Sequence, residues 1–337
     1  MKILPIQLAM PDSKVLPLSN SKTMIFSDMT PLGRTEKYKF YVEKEYYEHY
    51  AKAYFAVTMK KGGWDCMRHY EILASGTLPY FLDIENCPPQ TLFAWPKELM
   101  VRLKQLAGMP SERKVIRAAK SGKLKDLSFS KDFDEKQYWA LHGEFMDYFH
   151  KHLTTKGLAK YFLEANGIKG KTRVLLCFGI HATLLDYMRD LLVSALGADP
   201  DVSLVVYPLP FWQLKSCHRE ILNTFYGRGF SCTATLDTAQ MEPPYSWEEI
   251  VKEIDNFDLI VATTTSNQGF QTLPQEVQDT LSMRKDVVWV DGNDIKANHE
   301  IPSCAKLVFR REMEDYKETG RKKWGIWGKG LFDNYPI

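Results

Sequence analysis

The sequence predicts an α/β fold in two domains, the second built on a doubly wound parallel sheet. Three observations carry this reading. A chain of 337 residues fits two domains of ordinary size. Beyond Lys171, apolar runs of strand length alternate with helical patterns over short connections. Between the halves, Asn166-Gly167-Ile168-Lys169-Gly170-Lys171 ends a helix and reads as a domain boundary, giving domains 1–168 and 169–337.

The composition bounds the function. Hydrophobic residues make up 45% and charged residues 26%, a globular mixture that excludes long disorder. A net charge of +2 does not call for nucleic acid as a partner. Cys66, Cys87, Cys177, Cys217, Cys232 and Cys304 show no CxxC spacing, so reduced thiols and a cytoplasmic location are expected. No apolar run reaches bilayer length, and MKILPIQLAMPDSK lacks the long apolar segment and cleavage site of a signal peptide.

In chain order, residues 1–37 read as one or two short strands and loops. Helical character from Glu43 to Tyr54 is followed by a short strand at 55–58, and 60–81 reads as loop, helix, small-residue turn and strand. Residues 83–96 hold Pro88-Pro89 and read as loop. The stretch 97–125 carries nine Lys and Arg: a solvated helical face, or a patch for an anionic acceptor or a membrane surface. Tyr138, Leu141, Phe145, Tyr148 and His152 mark an amphipathic helix, and Thr154 or Thr155 starts another. In the second half, strands are predicted at 172–177, 202–207, 230–235, 258–263 and 286–291. Helices are predicted near 183–196, 213–224, 246–255 and 274–283, the third opened by a Ser246/Glu249 capping box. The basic, aromatic C-terminus reads as a tail packed across the other domain or touching a membrane surface.

The chemistry concentrates in Lys60–Phe81, KKGGWDCMRHYEILASGTLPYF. Gly62 and Gly63 let backbone amides approach an anion, and a helix starting just after them adds its dipole. Arg68 offers a planar donor fork for phosphate, while Glu71 can accept hydroxyls of a sugar or ribose. A buried turn in which Arg68 and Glu71 pair with each other explains the same residues. In the second domain, ligands of an open sheet sit at the carboxyl ends of strands. His181 and Asp186 follow the first of these, Ser266, Asn267 and Gln268 the fourth, and Asp291 and Asp294 the fifth. His181 suits a general base or a buried histidine bonded to backbone; Asp291 and Asp294 suit a base, a sugar contact or a plain turn, and the polar cluster suits a hydroxyl-rich ligand. Asp199-Pro200-Asp201 has the form of a metal motif but reads as a turn, Asp83-Ile84-Glu85 is better placed but still the lesser reading, and no metal is expected. No G-x-S-x-G, Walker A or G-x-G-x-x-G pattern occurs, which argues against hydrolase, P-loop and nicotinamide chemistry.

Glu45-Tyr46-Tyr47 followed by residues 60–81 resembles the donor segment of GT-B-fold glycosyltransferases of the exostosin-like, viral and bacterial kind. The R-x-x-E-x-L-A-x-G-x-x-P pattern is met by Arg68, Glu71, Leu73, Ala74, Gly76 and Pro79. The resemblance implies two Rossmann-like domains facing a central cleft, 1–168 binding the donor and 169–337 the acceptor. The donor segment comes first here, so a circularly permuted order is expected. By this likeness Glu71 contacts the ribose and Lys60, Lys61 and Arg68 face the diphosphate, with Gly62, Gly63, Asp65, His69, Gly76 and Thr77 completing the donor site. Gly63 stands where many retaining members carry an acid, with Asp65 close by. The expected activity is metal-independent transfer of a hexosyl or pentosyl group from a UDP-, GDP- or dTDP-sugar to a glycan hydroxyl, without a cofactor. In that reading His181, Asp186, Asp291 or Asp294 supplies the base and Ser266, Asn267 and Gln268 hold the acceptor. The rivals are an S-adenosylmethionine-dependent methyltransferase using VLLCFG, and a non-catalytic glycan-binding protein.

Overall fold

A computed structural model describes residues 1–32, 40–179, 185–240, 242–243, 245–264, 269–294 and 301–313. The chain is α/β, with two parallel sheets. In order come β1 (Lys2–Pro5), β2 (Met24–Phe26), α1 (Glu43–Ala51), β3 (Ala53–Thr58), α2 (Met67–Ala74) and β4 (Leu78–Phe81). Helices α3 (Lys97–Lys104), α4 (Glu112–Ser121), α5 (Glu135–His152) and α6 (Thr155–Ala165) follow. The second half runs β5 (Thr172–Phe178), α7 (Tyr187–Gly197), β6 (Val202–Tyr207), α8 (Arg219–Leu222), α9 (Trp247–Lys252), β7 (Leu259–Thr264), α10 (Gln275–Ser282), β8 (Val287–Asp291) and β9 (Ala305–Arg310).

The larger sheet has the order β1-β9-β8-β7-β5-β6. Strands β5 to β9 thus follow the 2-1-3-4-5 winding of open doubly wound sheets, whose switch point lies between β5 and β7. Strand periodicity explains the two layers. Val174, Leu176 and Phe178 share a core with Leu191 and Leu192 of α7, while Leu175 and Cys177 pack with Trp247, Val277 and Leu281 of α9 and α10. The Ser246/Glu249 capping box forms as expected. Asp199 accepts the Asp201 amide at 3.0 Å in the turn before β6.

The smaller sheet, β2-β3-β4, is a β-α-β-α-β unit with α1 and α2 as its crossovers. β1 lies across the expected 168/169 boundary: it pairs in parallel with β9, and the Tyr161 hydroxyl donates to Pro5 O at 2.6 Å. A single core joins Phe26, Phe55 and Tyr70 of the first half to Phe178, Val261 and Phe309 of the second.

Two expected elements differ. The strand predicted at 230–235 is a loop, with Arg228, Ser231 and Ala234 at φ of 58°, 70° and 53°. Its β-branched and aromatic residues are overridden by side chains that anchor Ser231, described below. The helix predicted at 213–224 contracts to α8. Among the described residues, no helix is long and apolar enough to cross a membrane.

Candidate functional site

The predicted stretch sits where the two sheets meet. Its helix, α2, is buried on every side except at Arg68, and Gly76 ends it in the left-handed region at φ 68°. Burial decides what most of its polar groups do. His69 takes two bonds: its Nε2–H donates to Trp64 O at 2.9 Å, which fixes Nδ1 as acceptor of the Thr58 hydroxyl at 2.8 Å. Burial drives its pKa down to about 3, so the ring is neutral and both nitrogens are committed. The Thr77 hydroxyl donates to Tyr50 O and Ala53 O, and Gly76 O accepts from Lys22 and His142. These three residues hold the turn rather than present groups to a ligand.

The loop before α2 is the joint to the second half. Asp65 accepts the Leu8 amide at 2.6 Å and the Tyr70 hydroxyl at 2.8 Å. Its own amide donates to Glu312 Oε1 at 2.9 Å, and its carbonyl accepts from Arg311 at 3.0 Å. Burial pushes the Asp65 carboxyl up to about 6 and that of Glu312 up to about 7. Arg311, buried, also donates to Gly292 O and to Asp294. A Cβ on Gly63 would lie 2.4 Å from Glu312 Oε1 and 2.7 Å from Asp294 O; on Gly62 it would lie 3.1 Å from Asp294 Oδ2. Gly63 is therefore needed for close approach between the halves, whereas Gly62 meets only the end of the Asp294 side chain. Lys60 lies over the Trp64 ring at 5.2 Å with its amide on Asp83, and Lys61 reaches Pro31 O.

Farther along α2 lies a second cluster. Glu71 accepts the Tyr46 hydroxyl at 2.6 Å on one oxygen and the Ser231 hydroxyl on the other, and burial raises its pKa. Glu43 accepts the Ser231 amide at 2.6 Å, and the Tyr47 and Ser231 hydroxyls meet at 2.8 Å. These bonds hold Ser231 in its left-handed conformation. Tyr187, opening α7 at the switch-point end of the sheet, has its hydroxyl near Cys232, Glu71 and Cys66. In this setting Arg68 is exceptional. Its Nη1 is buried and has no hydrogen-bond partner among the described residues. Burial works against its charge, but Tyr50, Cys66, Tyr46 and Glu71 around it hold its pKa above the ordinary value. The alternative, an Arg68–Glu71 ion pair, does not form, although each group feels the other's charge.

Of the second-half candidates, Asp186 caps α7 through the Arg189 amide at 2.9 Å. Asp291 is buried and accepts from Arg310 at 3.0 Å and from Asn293 at 2.7 Å. Asp294, with a side chain 67% exposed and held by Arg311, faces Gly62. His181 and the Ser266-Asn267-Gln268 cluster lie outside the described residues, as does the C-terminal tail from 314. The structure thus brings Gly62, Gly63 and Asp65 against Asp294, and keeps Asp186 and Asp291 in local roles.

Ser231, Glu43, Tyr187, Arg311 and Glu312 were not foreseen. For Ser231 the signal was Gly227-Arg228-Gly229, a backbone asking for positive φ just before it. Among the described residues no cluster of three or more His, Cys, Asp or Glu is arranged to hold a metal ion. Compared with protein-family models, curated proteins and solved structures, the chain finds no match in any of the three.

Proposed function

We propose that the chain is a glycosyltransferase that moves a sugar from a nucleotide diphosphate donor to a glycan hydroxyl. The observation that carries this reading is Arg68: a buried guanidinium nitrogen without a partner among the described residues, in the first turn of α2, beside the carboxyl edge of both parallel sheets. A buried donor left unpaired costs about 1–3 kcal/mol, which an incoming anion would recover. In the proposal the β-α-β-α-β unit and the larger sheet are the two facing halves of a permuted GT-B arrangement. Arg68, the first amides of α2 and Lys60 stabilise the departing diphosphate without a metal.

Two roles shift from the residue-type expectation. Glu71 already accepts one hydroxyl on each oxygen, so here it positions the Ser231 loop and balances Arg68 instead of binding ribose. Asp294 becomes the favoured acceptor base, because its carboxylate is exposed and oriented by Arg311. A panel of UDP-, GDP- and dTDP-sugars tests the reading by thermal stabilisation, followed by product analysis with the best donor. Failure of every nucleotide sugar to stabilise the chain would refute it.

A further inference from the structure

Helix α4 buries Val115, Ala118 and Ala119 and turns its opposite face to solvent. That face carries Arg113, Lys114, Arg117 and Lys120, and Lys123 and Lys125 follow in the next turn, all six exposed. None of the six makes an ion pair or side-chain hydrogen bond with a described residue. Glu112, the acid at the head of the helix, is engaged with Lys104. Arg113 and Arg117 stand four residues apart and Arg117 and Lys120 three apart, spacings at which like charges destabilise a helix.

Three of the six, Arg113, Arg117 and Lys120, line a shallow groove together with Ile116 and Ser121. From Arg113 to Lys120 the stripe runs about 10 Å along the axis. The occupant follows from what this surface has and lacks. A row of cations along a groove suits an extended chain bearing repeated negative charges. No large apolar side chain is exposed in residues 97–131 to insert into a bilayer, nor an aromatic to stack on bases. The head of α4 is also tied to the smaller sheet. Lys104, which pairs with Glu112 at the head of α4, donates to Leu82 O just past β4. That is the carboxyl edge of the small sheet, from which the Lys60–Cys66 loop also springs.

We propose that this groove binds an acidic polysaccharide, carboxylated or sulfated. On the glycosyl-transfer reading above, on which this extension rests, that chain is the acceptor, held beside the donor site.

The test uses immobilised heparin and polygalacturonate, with dextran as the neutral control. The full chain is compared with an Arg113→Glu/Arg117→Glu/Lys120→Glu variant. The wild type is expected to bind both acidic polymers and not dextran, weakening roughly tenfold or more as salt rises from about 50 to about 250 mM. The variant is expected to lose at least roughly tenfold in affinity, with Tm unchanged within about 2 °C because the replaced side chains are exposed and unpartnered. Unchanged binding by the variant overturns the proposal. So does capture of the wild type by phosphatidylserine vesicles but by neither polysaccharide. Wild type that binds the polysaccharides but no nucleotide sugar supports the groove and overturns the transfer reading.

Discussion

Replacing Glu312 with Gln tests the joint between the halves, because here a carboxylate is held where its charge is unwelcome. Its carboxyl is buried, takes the Asp65 amide at 2.9 Å, and lies close to the Asp65 carboxyl. Burial moves its pKa from 4.5 to about 7 in the folded chain. A shift of that size corresponds to something on the order of 3 kcal/mol, an upper bound because Arg311 and the coupled Asp65 share the cost. The sign follows from linkage. Below the unfolded pKa both states are protonated and the contribution to stability is full. As pH rises toward 7, the unfolded chain releases the proton while the folded chain still holds it, so stability falls. Above 7 the charged form bears the whole penalty.

Glutamine keeps an oxygen for the Asp65 amide and carries no charge. The Glu312→Gln variant should therefore match the wild type near pH 4.5 and exceed it at pH 8, by roughly 2–5 °C in Tm. Thermal denaturation of both proteins at pH 4.5, 6 and 8 measures the difference. A variant less stable than wild type at pH 8 would refute the reasoning, since Glu312 would then serve as the charged anchor of Arg311.

Three further outcomes follow from the same geometry. Gly63→Ala should cost about 1–3 kcal/mol in urea denaturation, because its Cβ meets the backbone oxygen of Asp294 as well as Glu312. Gly62→Ala should cost much less, its contact being the end of an exposed side chain. At Ser231, both Ala and Gly remove the hydroxyl donated to buried Glu71, but only Ala strains the φ of 70°, so Ala should be the less stable by about 1 kcal/mol; the reverse order contradicts the account. The His69 ring should show an Nε2–H tautomer by NMR and stay neutral down to about pH 4.5, so its contribution to stability is present above the ordinary histidine pKa and lost as pH falls.

The larger sheet was readable because its strands are continuous apolar runs, buried on both faces, between helical patterns. Val202–Tyr207 and Val287–Asp291 show this directly. The pairing of β1 with β9 was not readable, since nothing local in KILP specifies a partner some three hundred residues away. At the candidate site, residue type alone did not give the division of labour. Arg68, His69 and Glu71 offer similar chemistry to a ligand and to a buried turn. Only their neighbours separate them: two bonds on His69, two on Glu71, and none from a described residue on the inner nitrogen of Arg68. Ser231 was hidden within a run of strand-forming residues whose conformation is set by Glu43, Glu71 and Tyr47, all distant in sequence.

Arg68 is therefore the residue on which the proposal turns, and Arg68→Met isolates it by keeping the apolar stem and removing the guanidinium. Calorimetric titration with the best-stabilising nucleotide sugar should show a loss of roughly tenfold to a hundredfold in affinity, as expected for charge-assisted hydrogen bonds of about 1.5–3 kcal/mol. Tm without ligand should fall, because the variant also removes the charge that balances buried Glu71, so affinity is compared at a temperature where both proteins are folded. Equal affinity in Arg68→Met and wild type would contradict the account.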